Sequence, residues 1–202
     1  YASLVGEQKY WNKDGKLFGH VVFDDNANIQ KGYFLNPKAD TIWSYKKGAK
    51  SVPFYTEDGI LDREFGLTSG RLNGIVNSYY INGALKSEVD ESLSNEESFY
   101  SNGKSRSRID SVANSDFKSY VSYSPYGKVA AKMTLLNYRP NGERESYYTN
   151  GLIKDKGFFN ADDVENGDFY YYDTKGRLRY MITYKNGVVL KINTYDLKGE
   201  II

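Results

Sequence analysis

The chain has 202 residues, 27 of them basic and 26 acidic for a net charge of +1, with 20 tyrosines and no cysteine. That length suits one sizeable domain or an array of small units, and so even a charge leaves no bulk field to attract nucleic acid or an anionic membrane. The missing cysteines exclude a disulfide framework, a thiolate metal site and a cysteine nucleophile, and no stretch reaches the roughly 20 apolar residues of a spanning helix.

The opening "YASLVGEQKY" carries no initiator Met, signal h-region or transit pattern. That is the expected look of a trimmed or mature form with any export signal upstream. An extracytoplasmic location, periplasmic or cell surface, is therefore expected ahead of a cytoplasmic one. From Tyr10 onward one pattern recurs: an aromatic residue or pair, two to four residues, then Gly and a basic or aliphatic pair. It runs through "YWNKDGKL", "FYTEDGIL", "YYINGALK", "FYSNGKSR", "SYSPYGKV", "YYTNGLIK", "YYDTKGRL" and "TYDLKGEI". The turn glycines are 15, 59, 83, 103, 127, 151, 176 and 199, giving a period of about 23 residues and a first gap of 44 that fits two degraded units. A fixed period in the twenties marks a repeat architecture.

Weaker turns split several units, at Gly70 and Gly187 and, by analogy, near Gly48 and Gly142. Turn signals 8–12 residues apart, many of them Asn-Gly, Lys-Gly or Asp-Gly, read as a β-meander. Each unit is then two antiparallel strands of about 5–7 residues, and the aromatic before each turn covers its backbone or stacks on the next ring. The expected fold is all-β: an elongated antiparallel meander of hairpin repeats, 14–18 strands in a single domain over 1–202, as a thin sheet without a second layer. Degraded repeats are expected at 24–50 and at 87–119, the latter as decorated loops, and "SRIDSVANSDFKSYV" (107–121) admits a short helical turn.

"SGRLNGIVNSYYINGALKSE" (69–88) resembles the MORN-repeat variant seen in bacteria, the family often labelled YwqK-type antitoxin. Its unit reads roughly Gly-Lys-Leu-x-Gly, a strand, Tyr-Tyr-x-x-Gly-x-Leu-Lys, then a second strand. "DGKLFGHVVF" and "NGLIKDKGFF" match its first half, the latter with one residue inserted. The resemblance implies a bacterial, non-enzymatic interaction module, with an antitoxin role in its narrower form. Choline- or glucan-binding wall repeats share the Tyr-Tyr turns but build their cage on a recurring Trp, and only Trp11 and Trp43 occur here. The tyrosine–aspartate repeats of large toxins close into shells that 202 residues are too few to form.

Catalytic sets are sparse. His20, the sole histidine, alternates with apolar residues in "FGHVVF" and reads as a strand position. No G-x-S-x-G, H-E-x-x-H, P-loop or dinucleotide fingerprint occurs. "NADDVENGD" gathers Asp162, Asp163, Glu165 and Asp168 but lacks EF-hand spacing, so a solvated turn is expected ahead of calcium. "FDDN" holds Asp24 and Asp25, and nothing selects a glycosidase pair from 26 acids. Lys104, Arg106 and Arg108 alternate, so they share one strand face, read as a charged edge rather than a phosphate grip. No enzyme, cofactor or metal is expected. The expected partner is another protein, with glycan or cell wall as the alternative and no nucleic acid. The partner-binding candidates are Trp11, Trp43, Tyr80, Tyr100, Tyr148, Tyr170 and Tyr172, since Tyr and Trp favour interfaces.

Overall fold

The computed structural model describes residues 5–202. Tyr1–Leu4, where the reading of a trimmed start begins, lie outside the described residues. Among those residues the chain is all-β, with seventeen strands, each paired antiparallel with a chain neighbour of its own unit. It divides into two compact units, up to Gly103 and from Lys104.

The first unit holds β1 (Gly6–Trp11), β2 (Leu17–Phe23), β3 (Ile29–Leu35) and β4 (Thr41–Ser44), which form a four-stranded sheet in that order. There follow β5 (Ser51–Tyr55), β6 (Leu61–Thr68), β7 (Arg71–Tyr79), β8 (Leu85–Asp90) and β9 (Asn95–Phe99), again consecutive. The second unit is a meander of β10 (Ser105–Ser111), β11 (Phe117–Tyr123), β12 (Val129–Leu136) and β13 (Arg139–Tyr147). It continues through β14 (Ile153–Phe159), β15 (Gly167–Tyr172), β16 (Leu178–Lys185) and β17 (Val188–Thr194).

One turn builds most of the chain. Its first residue donates its N–H to the carbonyl four residues on and accepts from the N–H three residues on. This happens at Asn12, Asp24, Asn36, Thr56, Tyr80, Ser124, Tyr148, Asn160, Asp173 and Asp196. The fourth position takes positive φ, as in the type I turn closed by a left-handed residue that forms three-residue hairpin loops. All eight glycines of the repeat occupy it, with φ between 74° and 89°. The first side chain often seals the loop from inside: Asn12 Oδ1 accepts from the N–H of Asp14 and of Lys16, and Asp173 Oδ1 from Lys175 and Arg177.

Three such turns lack the glycine, which hid them. Ala27 (φ 59°), Ala39 (φ 66°) and Asp163 (φ 62°) stand at the left-handed position. The 44-residue gap accordingly holds four strands, β2 to β5, the number that two units require, and turns starting at Asp24 and Asn36 carry β3 and β4 through it without the glycine. Left-handed backbone costs an L-residue about 1–2 kcal/mol, against about 0.5–1 kcal/mol of extra entropy for Gly. Ala39→Gly is accordingly expected to stabilise the fold by about 0.5–1 kcal/mol, read as a higher midpoint in urea with an unchanged slope.

The opposite hairpin ends use a tighter device. Ser69–Gly70, Asn137–Tyr138 and Asn186–Gly187 have positive φ at both central residues and join directly paired strand ends, the type I′ geometry. Gly70 and Gly187 are thus turn residues, whereas Gly142 sits within β13 opposite Phe159, and its turn is Asn137–Tyr138. Gly48 lies in a turn closed by Ala49 N–H to Lys46 O, between the two sheets of the first unit.

Two further expectations give way. The span 87–119 holds β8, β9, β10 and the start of β11 rather than loops, and the helical turn expected at 107–121 is a β10–β11 hairpin with Asn114 at positive φ. The first unit also has the second layer that a thin sheet would lack. Val21, Phe23, Ile29 and Phe34 from one sheet pack against Val52, Phe54 and Leu67 from the other. Phe34, fully buried, is the hub: its ring lies 5.5–6.5 Å from those of Tyr10, Phe18, Trp43, Phe54 and Tyr55. In the second unit Phe169, 2% exposed, packs edge-on against Phe159 at 5.6 Å and Tyr184 at 5.2 Å.

Candidate functional site

Residues directly opposite one another in an antiparallel pair point to the same face, so the register defines rows across each unit. Three residues before the turn of each repeat lies one such row. In the first unit it reads Glu64, Asn77, Glu88, Glu97 from β6 to β9. In the second it reads Arg108, Val121, Lys132, Glu145, Lys156, Tyr170, Met181, Asn193 from β10 to β17. Across β13–β15 the alternate rows turn inward: Phe169 and Asp155 are buried there, with Arg144 Nη2 3.7 Å from Asp155 Oδ1 and Ser146 Oγ donating to the same carboxylate, whereas on β17 Asn193 is buried and Ile192 exposed.

Lysines lie over rings on the second unit's outer face. Lys132 Nζ is 5.8 Å from the centre of the Tyr147 ring, and Lys156 Nζ 5.4 Å from that of Tyr170. At the second pair a cleft of about 280 Å³ is lined by Glu143, Glu145, Lys156, Phe158, Asp168 and Tyr170. It opens where β14 and β15 part: they pair only at Asp155–Tyr171 and Lys156–Tyr170, after which Asn166 N–H reaches Phe158 O at 2.9 Å. Phe158 remains 44% exposed. Asp168 is fixed by Thr183 Oγ1, which donates to Oδ1 at 2.6 Å.

The Tyr147 hydroxyl donates to Glu145, and this bond, with burial and the carboxylate's charge behind it, pushes the phenol up to about 12 from 10.0. A raised folded value means a stability contribution fully present below the unfolded value and lost as pH climbs through the folded one. The wild type should therefore lose stability between pH 10 and about 12. Tyr147→Phe should flatten that part of the profile, with urea midpoints against pH as the measurement; Tyr171, raised to about 12 chiefly by burial, and Tyr10, Tyr55 and Tyr79, each raised chiefly by burial, supply the remaining slope.

The tyrosines chosen at the turns fare differently from one another. Tyr80 and Tyr148 open their turns and donate their hydroxyls to Phe99 O at 2.8 Å and Tyr172 O at 2.7 Å, so they tie each turn to the next. Asn82 and Asn150 reinforce the tie through Ser101 O and Thr174 O. Hydroxyls, rather than stacked faces, make the link at these two tyrosines. Tyr100 opens the equivalent turn, and Tyr172 ends β15 before the next. Tyr170 alone among these lies in the cleft. Trp11 ends β1 and is 57% exposed, while Trp43, half-buried on β4, packs on Phe34 and over Gly32. Lys132, Glu145, Lys156 and Phe158 went unmarked by sequence reasoning; the signal for the first three is position relative to the turn, not residue type.

His20 lies on β2, its Nε2 2.8 Å from Glu7 Oε1 and its ring edge-on to Tyr33. The carboxylates of 162–168 do not converge: Asn160 Oδ1 accepts the N–H of Asp162 and Val164 within a hairpin turn. Among the described residues no three His, Cys, Asp or Glu side chains gather as a metal set.

Residues 165–186 match the MORN repeat variant family. That window holds β15, the Asp173 turn and β16, so the chain carries a repeat of this type. No curated protein matches. Among solved structures the chain is similar to a mutant of S. aureus TarM in complex with fondaparinux, α-GlcNAc-glycerol and UDP, at 10% identity and a TM-score of 0.37 over 51% of this chain and 20% of that one. It is also similar to a second TarM structure at 8% identity and a TM-score of 0.33, over 70% of this chain and 21% of that one. The chain thus spans about a fifth of the length of these neighbours.

Proposed function

We propose that the chain is a non-enzymatic, repeat-based binding module of the bacterial MORN-variant kind, and that the outer face of β12–β15 takes a partner protein. The observation supporting this is the cleft at Phe158: an exposed ring beside Tyr170, set among Lys156, Glu143, Glu145 and Asp168. Aromatic residues are enriched at interface centres and charged ones belong to the rim, so Phe158 and Tyr170 would be the centre and the charges around them the rim. Lysines already over rings hold the aromatic faces at about 0.5–1 kcal/mol each without burying them. An extracytoplasmic location accompanies this reading, as does the antitoxin role in its narrowest form, for which rescue of growth on co-expression with a toxic neighbour is the test.

A photo-crosslinking amino acid at position 158 should capture one protein in cells of the source organism, and Lys156→Ala with Tyr170→Ala should abolish the capture. A label at Trp11 serves as control. Crosslinks equally frequent at both positions would remove the proposal. The same rings beside carboxylates also suit the faces of a sugar, the second reading; saturable binding on a glycan array, lost with Tyr170→Ala, would put it first.

A further inference from the structure

Rings of the second unit take cations from their own chain: Lys118 Nζ stands 4.9 Å from the centre of the Tyr138 ring, as Lys132 and Lys156 stand over Tyr147 and Tyr170. Phe158 differs. Its ring is 44% exposed in the cleft and has no cation over it among the described residues. Carboxylates stand on either side of it, Glu143 directly opposite on β13 and Asp168 across the opening on β15. Both keep an open side. Glu143 is exposed and makes no hydrogen bond or ion pair among the described residues. Asp168 takes the neutral Thr183 hydroxyl on Oδ1, which leaves its charge uncompensated and Oδ2 without a partner among those residues. The bases of the cleft are placed elsewhere: Arg144 lies 3.7 Å from the inner Asp155, while Lys156 faces Glu145 across the ladder and sits over Tyr170.

Building on the partner-protein reading above, we infer that this cleft takes an arginine side chain of the partner, its guanidinium flat on Phe158 and donating to Glu143 on one side and Asp168 Oδ2 on the other. A guanidinium is planar, stacks on rings, carries donors along both edges and is weakly hydrated. Glu143 and Asp168 lie two strands apart, about 10 Å at the usual strand spacing. One fork between two reaching carboxylates covers that span, whereas an ammonium serves one of them as a point charge. The volume agrees. A cleft of about 280 Å³ falls just below the roughly 300–1,000 Å³ of pockets for drug-sized ligands, so it suits one side chain. Arginine is also among the residues that dominate interface energies.

The test is a two-dimensional NMR titration of the full chain with acetyl-Gly-Arg-Gly-amide, beside the same peptide carrying citrulline or lysine in place of arginine. Citrulline keeps the shape and removes the charge; lysine keeps the charge and removes the plane. The arginine peptide should shift the Phe158 and Asp168 resonances saturably, with a dissociation constant in the millimolar range. Citrulline should bind about tenfold more weakly or worse, and lysine severalfold more weakly. Glu143→Gln combined with Asp168→Asn, checked for an unchanged circular dichroism melt, should abolish the shifts; the comparison among peptides needs no variant at all. No saturable shift, or citrulline or lysine binding as tightly as arginine, would each overturn the inference. Crosslinking at position 158 separates it from the surface it builds on. Capture that persists undiminished in the Glu143→Gln, Asp168→Asn background would overturn the arginine and leave the partner surface standing. Selective arginine binding with no capture would support the chemistry of the cleft and overturn the partner surface alone.

Discussion

Phe34→Ala is expected to cost about 3–5 kcal/mol, the range for deleting a buried aromatic side chain, and so to consume much of the roughly 5–15 kcal/mol by which domains are stable. Its ring is fully buried and touches five others drawn from both sheets of the first unit, so no single neighbour can close the space it leaves. Its removal also uncovers Gly19, directly opposite on β2, where a Cβ would run into the Phe34 ring. Phe34→Leu should retain more than half of the stability lost in the alanine variant, because it keeps part of the volume. Urea unfolding followed by tryptophan fluorescence reads the first unit specifically, since Trp11 and Trp43 both lie in it. A loss under 1 kcal/mol would mean that the two sheets do not share the core described.

This packing was the part of the fold least legible in the sequence. The hairpin repeat could be read because its turns use Gly at a backbone angle that few residues tolerate, and eight glycines kept that position. Ala27, Ala39 and Asp163 hold the same angle without advertising it, so the turns before β3, β4 and β15 carried no glycine to mark them. Asn114 did the same at the β10–β11 turn, which left 107–121 open to a short helical turn. The second layer left no signal of its own, because "LFGHVVF" alternates as any half-buried strand would and alternation does not say what lies against the buried side. Gly142 misled in a different way. It corresponds to Gly74, both at positive φ in an irregular stretch of ladder, and the turn before it has Tyr138 where the earlier repeat has Gly70.

The candidate site was harder still. Tyrosines stand out by number, and the turns drew attention to Tyr80 and Tyr148, whose hydroxyls hold the turns together. Lys132, Glu145 and Lys156 are ordinary residues in an ordinary strand until the register sets them side by side. A row across strands is a property of pairing, so it becomes visible only when each strand's offset from its turn is known. Glu88 and Glu97 make the same point, nine residues apart in the chain and directly opposed in the sheet.

Gly157→Val is expected to destabilise the second unit by about 1–3 kcal/mol or more, the cost of forcing extra volume into a packed position. The backbone at Gly157 is not at positive φ, so a side chain is barred by space alone: its Cβ would fall on the face of the Phe169 ring. Phe169 has nowhere to retreat, being held edge-on by Phe159 and Tyr184. The same ring-over-glycine arrangement recurs at Phe34 on Gly19 and Trp43 on Gly32, which makes it a device of this fold for closing a sheet face with few side chains. If the clash is the cause, Phe169→Leu should absorb part of it. A double-mutant cycle between the two changes should then show a coupling of about 0.5–3 kcal/mol, with the pair less damaging than the singles combined. Strict additivity in that cycle would mean that Gly157 is required for some reason other than the ring above it.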